Sequence, residues 1–144
     1  MRQTIELTIK ASAEDAFKAF SDLSAYKTWL SFIDSVDVDE TTDRGSNWIV
    51  VLRSQLGPFS RMKKLRLVRD VETPNTFVSF SRAELDGKEH SSWNLEVTCH
   101  PLSDQSTEVR LTVYYSGKFW SRPLEAVFNS HVEDAKIRLQ EYFE

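Results

Sequence analysis

The sequence predicts an α+β fold: a curved antiparallel sheet of seven strands wrapped around one long C-terminal helix, with two short helices after the first strand. Three observations predict it. Apolar and polar residues alternate in segment after segment, which is the period of half-buried strands. Two helix-start signals, at Ser12 and Asp22, follow the first such segment closely. Only beyond residue 120 does the period lengthen to that of an amphipathic helix.

The elements follow in order. Ile5, Leu7 and Ile9 alternate with Thr4, Glu6, Thr8 and Lys10, giving the first strand. Ser12 followed by Asp15 is a variant capping box that opens a helix through Phe20, with Ala16, Phe17 and Phe20 on its apolar side. Asp22 is a second N-cap, starting a short helix that carries Leu23, Tyr26, Trp29 and Leu30. Ile33, Val36 and Val38 precede a turn at Thr41–Gly45, and Trp48 to Arg53 forms the next strand, closed by Leu56-Gly57-Pro58. Phe59 to Val71 is a long strand that ends near Thr73-Pro74-Asn75. Phe77 to Arg82 follows it, and Asp86-Gly87 is a hairpin signal. Ser92 to His100 and Val109 to Ser116 are the last strands, joined by the polar loop Pro101–Ser106. Short turns between successive strands imply an antiparallel meander.

The final helix is predicted from about Ser121 or Pro123 to the end, with Pro123 in its first turn. Leu124, Phe128, His131, Ala135, Leu139 and Tyr142 share one face of it, flanked by Val127, Val132 and Phe143. Glu125, Asn129, Glu133 and Lys136 lie opposite. A curved sheet with this helix on its concave side satisfies both apolar faces.

Composition bounds the function. A length of 144 residues, with no repeat or linker, fits one domain over residues 1–144. The net charge of -4 argues against general nucleic-acid binding, which calls for a basic field. A single cysteine, Cys99, leaves no internal disulfide and no cysteine-based zinc site. No apolar run is long enough to span a membrane, and no signal-peptide core follows Arg2, so a cytoplasmic location is expected.

With these elements in view, the sequence resembles the START-like (SRPBCC) superfamily, which includes polyketide cyclases and coenzyme Q-binding proteins. Three stretches carry the resemblance: Ile5–Phe20 with its Ala11-Ser12-Ala13-Glu14-Asp15 cap; Asp22–Trp29 with Tyr26 and Trp29; and Trp93 and Ser106-Thr107-Glu108-Val109 ahead of the last helix. They are signatures of fold, not of catalysis. The resemblance implies a helix-grip fold with a ligand cavity between the long helix and the concave sheet. Strand parity then proposes the lining: Leu65 and Leu67; Phe80; Trp93, Leu95 and Val97; Leu111, Val113 and Tyr115; with Leu124, Phe128 and His131 from the helix. Trp48 and Val50 join them, although their strand is apolar on both parities and its inward face stays open.

Each residue able to carry chemistry also has a plainer role. His131, amid an apolar helical face, suits a ligand contact or a proton carrier, or else a histidine satisfied within the core. Cys99 and His131 meeting across the cavity would suggest a thiol nucleophile; a small buried hydrophobe is the plainer role for Cys99. No two histidines share metal spacing, and no Gly-rich phosphate loop is present, so neither a metal nor a cofactor is expected. Arg61, Lys63, Lys64, Arg66 and Arg69 form a basic run, read as a solvated face opposite the acidic run Asp34, Asp37, Asp39, Glu40 and Asp43. Arg82 shares parity with Val78 and Phe80, which would make it an inward charge able to hold a carboxylate or phosphate. Phe119-Trp120 is either a gate over the cavity or a staple for the helix.

The resulting expectation is binding or transport of a small hydrophobic ligand such as a lipid, isoprenoid or polyketide-like molecule, by a monomer or homodimer. An aromatase/cyclase-like enzyme and a protein-interaction module are the alternatives. A convergent polar pair in the cavity would favour the enzyme.

Overall fold

Alternation in the sequence becomes two faces of a sheet. In strand β1 (Arg2–Ile9), Ile5, Leu7 and Ile9 are buried while Thr4, Glu6 and Thr8 face solvent. The computed structural model describes residues 1–39, 46–56, 59–117 and 121–144. It adds strands β2 (Ile33–Val38), β3 (Asn47–Leu56), β4 (Phe59–Thr73), β5 (Phe77–Arg82), β6 (Trp93–Ser103) and β7 (Ser106–Tyr115). All seven pair antiparallel in the order β1-β7-β6-β5-β4-β3-β2. The meander thus runs from β2 to β7, and β1 closes alongside β7.

Both predicted caps form. Ser12 Oγ accepts the Asp15 amide at 3.1 Å and starts helix α1 (Ala13–Phe20). Asp22 Oδ1 accepts the Ser24 amide at 2.9 Å, and the helix behind it, Leu23–Thr28, is the tighter 3-10 type. Helix α2 (Ser121–Tyr142) packs against both β1, at one edge of the sheet, and β3, one strand in from the other edge. One helix reaches both only because the sheet curls around it. This is the helix-grip fold.

Two connections differ from the expected turns. The Asp86-Gly87 pair does not close a tight hairpin: β5 ends at Arg82 and β6 begins at Trp93. Gly87 still takes the left-handed conformation at φ +70°, and Asp86 caps the Lys88 amide at 3.0 Å, within a longer loop. The polar stretch Pro101–Ser106 is mostly strand, with the turn confined to Asp104-Gln105. Asn75 turns β4 into β5 at φ 63°, a conformation its short side chain tolerates. The expected turn at Thr41–Gly45, the Gly57-Pro58 pair and Phe119-Trp120 lie outside the described residues.

Aromatic rings plug the half-barrel at the end covered by α1. Phe20 meets Tyr26 at 6.0 Å and Trp29 at 5.4 Å between ring centres, and Phe80 meets Tyr26 at 5.9 Å and Trp48 at 5.5 Å. Tyr142 of α2 closes on Trp29 at 5.1 Å. Tyr26 Oη donates to the Phe20 carbonyl at 2.7 Å, so its polar tip is satisfied inside the plug.

Candidate functional site

Between the plug and the far end of the sheet, the concave face carries aliphatic side chains. Leu52 of β3, Leu65 and Leu67 of β4, Trp93 and Leu95 of β6 and Val113 of β7 converge there with Val50. Leu23, Leu30 and Phe32 cover them from the segment joining α1 to β2, with Ile33 at the start of β2. These side chains enclose a residual space of about 30 Å³, and every lining residue is apolar. A space of this size exceeds the roughly 10–15 Å³ that one water molecule needs. A second gap of about 10 Å³ lies beneath α2, between Ile5, Phe128, Val132 and Ala135. Leu30 and Phe32 border both gaps.

The register of β3 decides which of its faces is inward. Trp48, Val50 and Leu52 are buried, while Ile49 and Val51 are half-buried on the other side. Among the residues proposed from sequence, Val50, Leu65, Leu67, Trp93, Leu95 and Val113 line the space together. Trp48 and Phe80 sit in the aromatic plug. Val97, Leu111 and Tyr115 are buried on the same sheet face beside the space. Phe128 borders the smaller gap and stacks on Phe32 at 5.9 Å. The side chain of Leu124 lies outside the described residues.

His131 is a correction. It is exposed at the rim of the smaller gap instead of facing the core. The buried stripe of α2 runs through Phe128, Ala135 and Leu139, with Val132 and Phe143 packed beside it. Three residues beyond Phe128, His131 is turned about 60° to one side, past the edge of that stripe. The thiol partnership fails with it. Cys99 is buried near Tyr26 at the plugged end, and burial pushes its thiol up to about 11. A thiol held protonated is a poor nucleophile.

Leu23, Leu30, Phe32, Ile33 and Leu52 line the space without having been proposed for it. Leu23, Leu30 and Phe32 belong to the helical segment and its exit, where period-two parity says nothing about direction, and Ile33 only begins β2. Leu52 shares parity with Val50 and was readable once the face of β3 was settled.

Charge divides by strand parity too. Arg66 points to the convex side, where its guanidinium lies 2.9 Å from Asp39, both nearly buried. Lys63 and Arg69 instead share the concave parity of Leu65 and Leu67. Arg69 Nη1 donates to the Ser21 carbonyl at 2.7 Å at the plugged end. Arg82 is opposite Leu67 in the β4–β5 register and so also lies on the concave side, its side chain 8% exposed. The basic run is therefore not one solvated face.

Among the described residues no group of three or more histidine, cysteine, aspartate or glutamate side chains is placed to hold a metal ion. No helix among them is long and apolar enough to cross a membrane.

Residues 2–144 match the family model described as polyketide cyclase / dehydrase and lipid transport. A solved structure from Deinococcus radiodurans superposes with a TM-score of 0.70 at 17% identity, covering 98% of this chain and 95% of that one. A START superfamily protein from Mycobacterium smegmatis gives 0.69 at 16% identity, covering 98% of both chains. The Zhui aromatase/cyclase from Streptomyces sp. R1128 gives 0.59 at 15% identity, over 96% of this chain and 87% of that one. At such identities the likeness is one of fold. No curated protein matches the chain in sequence.

Proposed function

This chain belongs to the polyketide cyclase/dehydrase and lipid transport family, and from that premise we propose that it binds or carries a small hydrophobic molecule between α2 and the concave sheet. The apolar lining of the space, drawn from five strands and the α1–β2 segment, is the observation that supports this reading. A ligand burying roughly 200 Å² of apolar surface there would gain about 5 kcal/mol before the costs of association. Space for it comes from swinging Leu30 and Phe32 aside, which merges the two gaps.

Catalysis of the aromatase/cyclase kind needs a proton-handling group against the substrate. None lines the larger space among the described residues: His131 stands at the exposed rim of the smaller gap, and Tyr115 is buried against Trp93. The binding reading is therefore preferred over the enzymatic one.

A thermal-shift screen of small neutral aromatics and isoprenoid alcohols tests this. A ligand at 100 times its Kd adds about 2.7 kcal/mol of stability, and so raises Tm by several degrees. The compound should be recovered chemically unchanged. If none of the panel shifts Tm the binding reading fails, and conversion of the bound compound would establish the enzymatic one.

A further inference from the structure

Two cations converge at the end of the concave face away from the aromatic plug. On β4, Lys63 lies six residues before Arg69, which contacts the plugged end, so the two are about 20 Å apart along the strand. Leu65 and Leu67, which line the apolar space, lie between them. Arg82 faces Leu67 across the β4–β5 pair. The residual space is lined by apolar residues alone, and the two cations lie beyond that lining on the same sheet face.

The geometry of that end is specific. Lys63 Nζ and Arg82 Nη1 both approach Ser91 Oγ, at 3.5 and 3.4 Å. Arg82 Nε is held by Glu84 Oε1 at 2.8 Å, and the same oxygen accepts the Arg66 amide at 3.0 Å, which fixes the guanidinium from behind. Lys63 Nζ also sits over the Tyr115 ring at 5.4 Å, and Tyr115 packs on Trp93 at 4.7 Å. Trp93, itself lining the space, carries a buried indole N–H with no acceptor among the described residues. Lys63, Arg82 and Glu84 together carry one net positive charge. Two cations meeting on one hydroxyl oxygen are arranged as they would be around the oxygen of an anion.

We propose that this end of the cavity is a carboxylate subsite: Lys63 and Arg82 hold the head of a hydrophobic monocarboxylate whose tail lies along Leu65, Leu67 and Trp93. The net charge of the cluster matches a monoanion and not a phosphate dianion. A carboxylate oxygen replaces or joins Ser91 Oγ between the two cations. This rests on the hydrophobic-binding reading and narrows it to a chemical class.

The test is calorimetric titration of the full chain with octanoate and with octan-1-ol, which share a tail and differ in head charge. The subsite predicts that octanoate binds at least about tenfold more tightly than octanol, the scale of a charge-assisted hydrogen bond. Lys63→Gln, on a half-exposed strand position, should remove most of that preference. Equal affinities in the unaltered protein would overturn the subsite while the binding reading stands, and no variant is needed to see it. Failure of both compounds to bind would overturn the cavity reading and the subsite together.

Discussion

At the scale of single residues, the far end of the sheet depends on Tyr115 and what surrounds it. A Cβ at Gly117 would overlap the Tyr115 phenol, so the backbone there passes directly over the ring. Gly117→Ala should cost about 1–3 kcal/mol, as overpacking does, and denaturant unfolding would measure it. A second residue-scale prediction concerns alkali. Cys99 titrates at about 11 in the fold because of its burial, and burial raises Tyr26 well above the ordinary phenol range. Both folded-state values exceed the unfolded ones, so their stability contribution is complete below the unfolded pKa of Cys, about 8.5. It is lost as pH climbs through the folded values, because the unfolded chain then binds fewer protons. Stability should fall by about 2 kcal/mol between pH 8.5 and 11, and Cys99→Ala should flatten the first part of that fall. Urea midpoints measured across this range would show it.

At the scale of elements, α2 is held by a narrow stripe. Phe128 is 3% exposed and stacks on Phe32, whereas His131 lies outside the stripe. Phe128→Ala should cost about 3–5 kcal/mol and His131→Ala within about 0.5 kcal/mol, by thermal or chemical denaturation. The contrast between those two residues also shows what a sequence discloses. The caps at Ser12 and Asp22, the strands and the long helix were legible because capping and period are local properties. The helical wheel placed His131 among apolar neighbours, but only the packing of α2 between β1 and β3 set the centre of the buried stripe. The extended loop between β5 and β6 was likewise hidden, since Asp86-Gly87 reads locally as a tight turn. What fixes the start of that loop is tertiary: Glu84 Oε1 accepts the Arg66 amide of β4 at 3.0 Å, and the Ala83 amide donates to the Arg66 carbonyl at 3.1 Å.

At the scale of the whole molecule, curvature creates the site. The sheet bends until α2 touches both β1 and β3, leaving an apolar interior that the aromatic plug fills from one side. Parity identified much of the lining but not its upper cover, because Leu30 and Phe32 come from a segment with no strand period. The large rings expected to line a cavity serve mainly to stop one end of it. What remains is an interior small enough that a single added side chain fills it. Leu65, fully buried at the middle of the space, is the place to add one. The most direct measurement is a fluorescence titration with the neutral probe N-phenyl-1-naphthylamine, comparing the unaltered protein with Leu65→Trp. Saturable enhancement that Leu65→Trp abolishes, with folding intact by circular dichroism, is the predicted result. No saturation in the unaltered protein, or equal binding by a folded Leu65→Trp, would contradict a ligand site between α2 and the sheet.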